Sequence, residues 1–475
     1  MTERFTNVVV GSGEAGKWLS WTQARQGEKT VVIERSKLGG ACPNVACLPS
    51  KNVIFSAKVA SLVKQAASFG IRVPSSDVDI AAVTHRKQEM VDGEAAAHAQ
   101  LFRESGAEVV MGHAEFIEPK TVRVSLGAGG TRTLRGDRVF LAVGTHASVP
   151  DVPGLAESNP MTHVEALNLA RLPEHLVVLG GGYVGLEFAQ AMRRFESQVT
   201  VIEPGPRLLE REDPEFSEAL TDVLRGDGIE VLLRTALERV SGRSGESIRL
   251  HLRSESGARA IDASHLLVAT GRTPNTNGLG VERAGIELDA RGYVRVNERL
   301  ETTAAGVWAM GECAGSPQFT HVSFDDYRIV RDNLAGGSRT TRDRIIPYCL
   351  FTDPELAHVG VTETAANAQG LRFRVHRLPM SMVLRTRSHG DTRGMLKVLI
   401  ADNDQIVGFT ALGVEASEFM AAVQVAMIGR LPYTALRDGI FAHPTAAEGL
   451  IALFSTPPSA PSQQRSKAQH RNVAA

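Results

Sequence analysis

The feature that most constrains what this chain can fold into is one pattern written twice: an apolar run, a glycine-rich turn, and a second apolar run closed by a glutamate. The first copy is Val8-Val9-Val10-Gly11-Ser12-Gly13-Glu14-Ala15-Gly16, followed by Thr30 to Ile33 and Glu34. The second is Leu176-Val177-Val178-Leu179-Gly180-Gly181-Gly182-Tyr183-Val184-Gly185, followed by Gln198 to Ile202 and Glu203. Each reads as a buried strand, a tight turn and a helix start, the βαβ fingerprint of a dinucleotide site. Gly11, Gly13 and Gly16, like Gly180, Gly182 and Gly185, allow the turn and let a pyrophosphate approach backbone at a helix N-terminus, and Glu34 can accept from an adenosine ribose. Two fingerprints imply two dinucleotides.

Soon after the first fingerprint comes Gly39-Gly40-Ala41-Cys42-Pro43-Asn44-Val45-Ala46-Cys47-Leu48-Pro49-Ser50-Lys51. An undistorted helix would hold Cα atoms five positions apart at roughly 8 to 9 Å, beyond the roughly 4.4 to 6.8 Å that a disulfide tolerates. The segment must therefore be irregular, and Pro43 and Pro49 are expected to supply the breaks. A disulfide formed there would be open to exchange and easily reduced, which makes Cys42 and Cys47 a redox pair. The other two cysteines, Cys313 and Cys349, read as buried small residues.

The 475 residues, 43% of them hydrophobic, are enough for three ordinary domains with substantial cores. Net charge is −1 from 52 basic and 53 acidic residues, so the balance argues against a nucleic-acid partner or an anionic membrane. Only four cysteines in so long a chain point to a reducing, cytoplasmic setting. The polar start from Met1 to Asn7 leaves no room for a signal peptide's apolar core, and no apolar run approaches the roughly 18 residues of a membrane span.

Between the fingerprints, Arg138 to Thr145 reads as a strand ending at Gly144, and His265 to Asn275 repeats that form around Gly271; each marks a crossing between domains. From Ile345 the texture changes to alternating strand-like runs, such as Gly394 to Ile400 and Gln405 to Phe409, with a helical stretch near Glu415 to Gly429. The expected organisation is 1–145 for a first nucleotide domain, 146–272 for a second inserted into it, and 273–344 for the first resumed. A third domain over 345–455 and a disordered tail over 456–475 complete it. The fold class is α/β, two Rossmann-like nucleotide-binding domains plus an α+β C-terminal domain.

The two fingerprints, the GGACPNVACLPSK segment, Ala269-Thr270-Gly271-Arg272-Thr273-Pro274-Asn275, Val307-Trp308-Ala309-Met310-Gly311-Glu312-Cys313-Ala314-Gly315 and the late His443-Pro444-Thr445-Ala446-Ala447-Glu448 together resemble a class I pyridine nucleotide-disulfide oxidoreductase. That family includes dihydrolipoyl dehydrogenase, glutathione reductase and mercuric reductase. The likeness spans roughly residues 5 to 455, and the run from Pro317 to Arg328 with Leu431-Pro432-Tyr433 is most similar to the mercuric reductase-like branch, which also holds flavoproteins associated with reactive-chlorine stress. The resemblance implies FAD at the first site, NAD(P) at the second and dimerisation through the third domain. Cys47 would face the flavin as its thiolate and Cys42 would meet the substrate. Lys51 and Glu187 match an ion pair beside the flavin, Tyr183 an aromatic that covers the flavin until nicotinamide displaces it. The Thr320-His321 run matches a helix start whose backbone N–H groups face the flavin pyrimidine. His443 and Glu448 match an acid/base pair that works in the partner subunit's site, which implies a homodimer with active sites across the interface.

Some positions depart from the family. Glu312 stands where Asp usually holds the flavin's ribityl chain, so any contact there needs a shifted backbone; Gly311 precedes it. Ala46 replaces a common Gly. No residue is assigned to a metal. The C-terminal vicinal cysteine pair and the N-terminal metal-binding domain that the mercuric reductase branch would imply are not expected here, which makes mercuric reduction the minor reading. His443 also replaces the tyrosine typical of mercuric reductases, which favours thiol-disulfide chemistry. At the second site Glu203 would pair with a ribose 2′-hydroxyl and repel a 2′-phosphate, favouring NADH, with Arg207 close enough to weaken the preference. The leading expectation is an FAD-dependent NAD(P)H reductase of a small disulfide or other oxidant. The competing ones are dihydrolipoyl dehydrogenase, a mercuric reductase-like metal ion reductase, and a non-catalytic flavin and thiol redox sensor.

Overall fold

The computed structural model describes residues 1–459. Two compact units emerge, one formed by 1–204 and 234–344, the other by 205–233 and the chain from Ile345 onward.

In the first unit, strands Thr2–Val10, Thr30–Glu34 and Glu108–Glu118 run parallel, and Thr131–Leu141 lies parallel to Thr2–Val10 on its other side. Val8 and Val10 enter one apolar cluster while Val9 enters another beneath the helix Glu14–Arg25, so both faces of the sheet are covered. This is why the strand is an unbroken valine run rather than an alternating one, and each fully buried valine contributes about 1.5–3 kcal/mol. Strand Glu108–Glu118 serves two partners along its length and Thr131–Leu141 serves three. Val31 to Glu34 pair with Glu108 to Met111, whereas Gly112 to Glu118 turn to the antiparallel strand Thr121–Leu126. Thr131 to Arg135 face that same strand, and the far end, Val139 to Leu141, receives Val307–Ala309 in parallel. Residues from beyond the inserted segment thus return to the first sheet.

Between residues 175 and 268, His265–Val268, His175–Leu179 and Gln198–Ile202 form a parallel set. An antiparallel sheet of Thr235–Arg243, Ser247–Ser254 and Gly257–Ala263 follows. Two short strands, Thr145–Ala147 and Arg272–Pro274, pair antiparallel at the way in and the way out.

The second unit is built on a five-stranded antiparallel sheet with spatial order Pro347–Leu350, Glu355–Gly360, Ile406–Gly413, Met395–Ala401, Phe373–Pro379. Helix Ala416–Ile428 contributes Phe419, Met420 and Val423 to its core. One sheet residue is a buried cation: Lys397 Nζ lies 2.6 Å from Asp213, 2.5 Å from Glu215 and 3.1 Å from Glu363. The chain beyond Ser455 does not loosen at once, since Ser459 N donates to Val375 O at 2.8 Å. The rest of the expected disordered tail, 460–475, lies outside the described residues. Cys313 is buried as expected, but Cys349 is only half-buried, because it lies on the sheet's first strand in the spatial order.

Candidate active site

The first fingerprint builds a cradle from backbone. Gly11 has φ +97°, and a Cβ on it would sit 2.4 Å from Ala142 O; a Cβ on Gly16 would sit 2.0 Å from Gly11 O. Helix Glu14–Arg25 therefore starts hard against the turn, with Gly13 as its N-cap and no side chain satisfying its first N–H groups. Such donors suit an anion. They open on a cavity of about 490 Å³ whose walls include Gly11, Gly13, Glu34, Cys42, Gly311 and Thr320. The cradle fits the pyrophosphate of a dinucleotide. Gly11→Ala, which sets a Cβ against a carbonyl at a positive φ, is expected to yield a protein without bound flavin, read as loss of yellow absorbance at equal protein concentration.

Glu34 is fixed by three donors that the sequence pattern does not advertise: Ser12 N at 3.0 Å and Ser12 Oγ at 2.6 Å meet its Oε2, while Ser36 N at 2.8 Å meets its Oε1. The second fingerprint repeats this device, with Gly181 N donating to Glu203 Oε2 at 2.7 Å. Here Gly180 has φ +112° and a Cβ on Gly185 would lie 2.4 Å from Gly180 O. Gly182 caps helix Tyr183–Arg194 without a side-chain bond, and Tyr183 is the first helical residue, half-buried.

The cysteine segment is irregular as its spacing requires, but not where the prolines suggested. A short helix, Ala41–Val45, ends at Ala46, whose φ −134° and ψ −104° break the chain, and helix Cys47–Lys64 begins at once. Pro43 and Pro49 both sit in the third position of a helix, where a missing N–H costs nothing. The two thiols are unbonded in this structure. A hydrogen bond from Cys42 has the largest influence on Cys47. Together with the Thr320 hydroxyl and the charge of Lys51 it outweighs burial and brings the Cys47 thiol down to about 6. Cys42 moves the other way, pushed up by giving that hydrogen bond and by burial. The pair thus divides into a thiolate at Cys47 and a thiol at Cys42.

Lys51, one turn along the same helix, is held by Glu187 of helix Tyr183–Arg194 through contacts of 3.0 and 2.7 Å. The structure therefore joins Lys51 and Glu187 as the spacing alone could not. Thr320 begins helix Thr320–Leu334 and places its Oγ1 3.2 Å from Cys47 Sγ. His321 next to it is exposed and stacks on Phe319 at 5.4 Å. Gly311 N donates to buried Asp326 at 2.7 Å. Glu312 lines the cavity, yet its carboxylate is taken up by Thr145 Oγ1 and by Arg272 Nε, the latter at 3.2 Å. Arg272 also donates to Thr145 O at 3.0 Å, so Glu312 ties together the two connecting strands. Gly144 and Gly271 flank those strands at φ +62° and +141°. Burial and the Arg272 charge press nearby His163 down to about 4, leaving it neutral.

In the second unit His443 Nδ1 lies 3.0 Å from both carboxylate oxygens of Glu448. The carboxylate accepts the Nδ1 proton and leaves Nε2 as the basic nitrogen, with the ring largely exposed.

The chain matches the model of the pyridine nucleotide-disulphide oxidoreductases over residues 5–326, and that of their dimerisation domain over 346–453. It belongs to the pyridine nucleotide-disulphide oxidoreductase family. Among relatives of this family, the probable pyridine nucleotide-disulfide oxidoreductase RclA of Escherichia coli is 37% identical over 95% of this chain and 99% of its own. A mercuric reductase of Streptomyces lividans is 36% identical over 93% of this chain and 94% of its own. A solved Cu(II) complex of RclA, described as a HOCl-induced flavoprotein disulfide reductase, superposes with TM-score 0.86 at 36% identity, covering 95% of this chain and 99% of that one. LpdA from Mycobacterium tuberculosis gives 0.85 at 25% identity, covering 94% and 99%. As a member of the pyridine nucleotide-disulphide oxidoreductase family this chain is a flavin-dependent oxidoreductase that uses a pyridine nucleotide, and it carries the family's dimerisation domain. Among the described residues no helix is long and apolar enough to cross a membrane.

Proposed function

We propose that the enzyme oxidises NADH and passes the electrons through FAD and the Cys42 and Cys47 pair to a small disulfide or another oxidant that a dithiol can reduce. The observation that carries this reading is the split pair, a depressed thiol at Cys47 beside a raised one at Cys42. FAD would be held by the Gly11, Gly13 and Gly16 cradle, Glu34, Gly144, Gly311 and Glu312, with the start of helix Thr320–Leu334 at its flavin end. FAD held there would supply two-electron redox chemistry between the nicotinamide and the cysteine pair. Gly180, Gly182, Gly185, Glu203 and Gly271 would hold the nicotinamide nucleotide.

Because Cys42 holds its proton firmly, its attack on an acceptor needs a base, and the partner subunit's His443, oriented by Glu448, is assigned to that task in a homodimer. The domain division 1–145, 146–272, 273–344 and 345–455 and a cytoplasmic setting belong to the same proposal. A second acceptor class has specific support: relatives include mercuric reductases, and RclA has been solved as a Cu(II) complex. Steady-state oxidation of NADH and NADPH should be followed with oxidised glutathione, lipoamide, Cu(II) and Hg(II). NADH should be preferred by at least about tenfold in kcat/KM, since a 2′-phosphate would meet the Glu203 carboxylate. A preference for NADPH would overturn the Glu203 argument, and an absence of turnover with every acceptor would favour the sensor.

A further inference from the structure

The sulfur of Cys47 has a close neighbour on a second helix. It belongs to the first residue of helix Cys47–Lys64, and it lies 3.2 Å from the hydroxyl of Thr320, itself the first residue of helix Thr320–Leu334. The nearby cation, Lys51, is already engaged by both oxygens of Glu187 at 3.0 and 2.7 Å, so much of its charge is answered before it reaches the sulfur. The Thr320 hydroxyl pulls the Cys42 thiol down as well, but there the hydrogen bond to Cys47 and burial outweigh it, whereas at Cys47 it adds to the hydrogen bond from Cys42. A threonine hydroxyl inside a helix usually turns back to a carbonyl one turn earlier. At the first helical position this one instead points across to the sulfurs.

We propose that Thr320 is a catalytic residue through its side chain: its hydroxyl donates to the Cys47 sulfur and keeps the negative charge of the reduced pair on that atom. This role is additional to any backbone contact with flavin, and it rests on the reading of Cys42 and Cys47 as the redox pair. When two electrons enter a Cys42–Cys47 disulfide, the S–S bond breaks and one proton is taken up. Two sulfurs then share that proton, and the Thr320 hydroxyl, which loses none of its own, biases it toward Cys42. A hydroxyl 3.2 Å from the Cys47 sulfur favours charge on that atom without adding a full charge of its own beside the substrate-facing one. Within the subunit the charged groups acting on the pair are Lys51 beside Cys47, with Glu187 behind it, and Glu14 on Cys42; in the proposed homodimer the partner subunit's His443 joins them.

The test compares Thr320→Val, which keeps shape and loses the donor, with Thr320→Ser, which keeps the donor. The holoenzyme is reduced with one equivalent of NADH, and the long-wavelength absorption of a thiolate beside oxidised flavin is followed against pH. The rate of Cys47 alkylation by iodoacetamide gives the same midpoint independently of flavin. In Thr320→Val the midpoint should rise by about one pH unit, a tenfold loss of thiolate below both midpoints, and Thr320→Ser should restore it. A Thr320→Val profile that superimposes on the native one, or a Thr320→Ser profile shifted like valine's, overturns the proposal. Should the native protein show neither the absorption nor a low alkylation midpoint, with Cys47→Ser as reference, it is the redox-pair reading that fails. If Thr320→Val loses its flavin, alkylation of the apoprotein decides.

Discussion

Cys42→Ser is expected to stop transfer to a disulfide acceptor, lowering turnover on the order of 10³-fold or more, as removal of a covalent nucleophile does in other enzymes. Serine cannot form the mixed disulfide with the acceptor, so the second half of the cycle has no route. The same variant should still be reduced by NADH, and its Cys47 should keep its thiolate absorption, because a serine hydroxyl at position 42 can still give the hydrogen bond that most lowers Cys47. Its midpoint should therefore stay at about 6. Cys47 is charged above its pKa and neutral below it, so the absorption should fade only on the acid side of that midpoint. Cys47→Ser should lose both turnover and absorption. Equal behaviour of the two variants in rapid-reaction absorbance traces would show that the sulfurs do not have separate tasks.

The second large effect concerns folding. Lys397→Met should destabilise the second unit by about 3–5 kcal/mol, because it leaves the buried Asp213 carboxylate without its cation, whereas Glu215 and Glu363 keep Arg377. Asp213 and Glu363 have side chains only 3% exposed, and Lys397 only 2%. Burial alone would push the Asp213 carboxyl up; Lys397 and the backbone N–H groups of Thr364 and Glu363 more than reverse this and hold it below its ordinary value. A carboxyl lowered in the folded state contributes stability that is present above the unfolded pKa and is lost as pH falls through the folded one. The penalty of Lys397→Met should accordingly shrink as the buffer is taken from neutral toward pH 3, since protonated carboxyls no longer need the ammonium. Calorimetric melting of both proteins across that range checks this, and a penalty independent of pH would mean that Lys397 matters for its packed methylenes alone.

The residues that declare themselves in sequence do so because they act over short spans. A glycine turn followed by an acid-capped strand, or two thiols in one hexapeptide, is complete within about thirty residues, as is the His443 and Glu448 pair. Pairings across hundreds of positions leave no local mark. Nothing near Ser12 announces that it holds Glu34, and nothing near Glu312 announces Thr145 or Arg272, because topology alone brings them together. The proline expectation failed for a different reason. It treated proline as a helix breaker wherever it falls, whereas in a first turn its absent N–H has no partner to lose, and an ordinary alanine at position 46 takes the break instead.

The return of Val307–Ala309 to the edge of Val139 to Leu141 has a consequence for biosynthesis. A ribosome that has finished the first glycine cradle has not yet made the strand that covers the sheet beside it. Until residue 309 emerges that edge stays open, an invitation to pair with another nascent chain. Gly311 and Thr320, which line the cavity, come later still, so its walls are complete only after more than half of the polypeptide has been made.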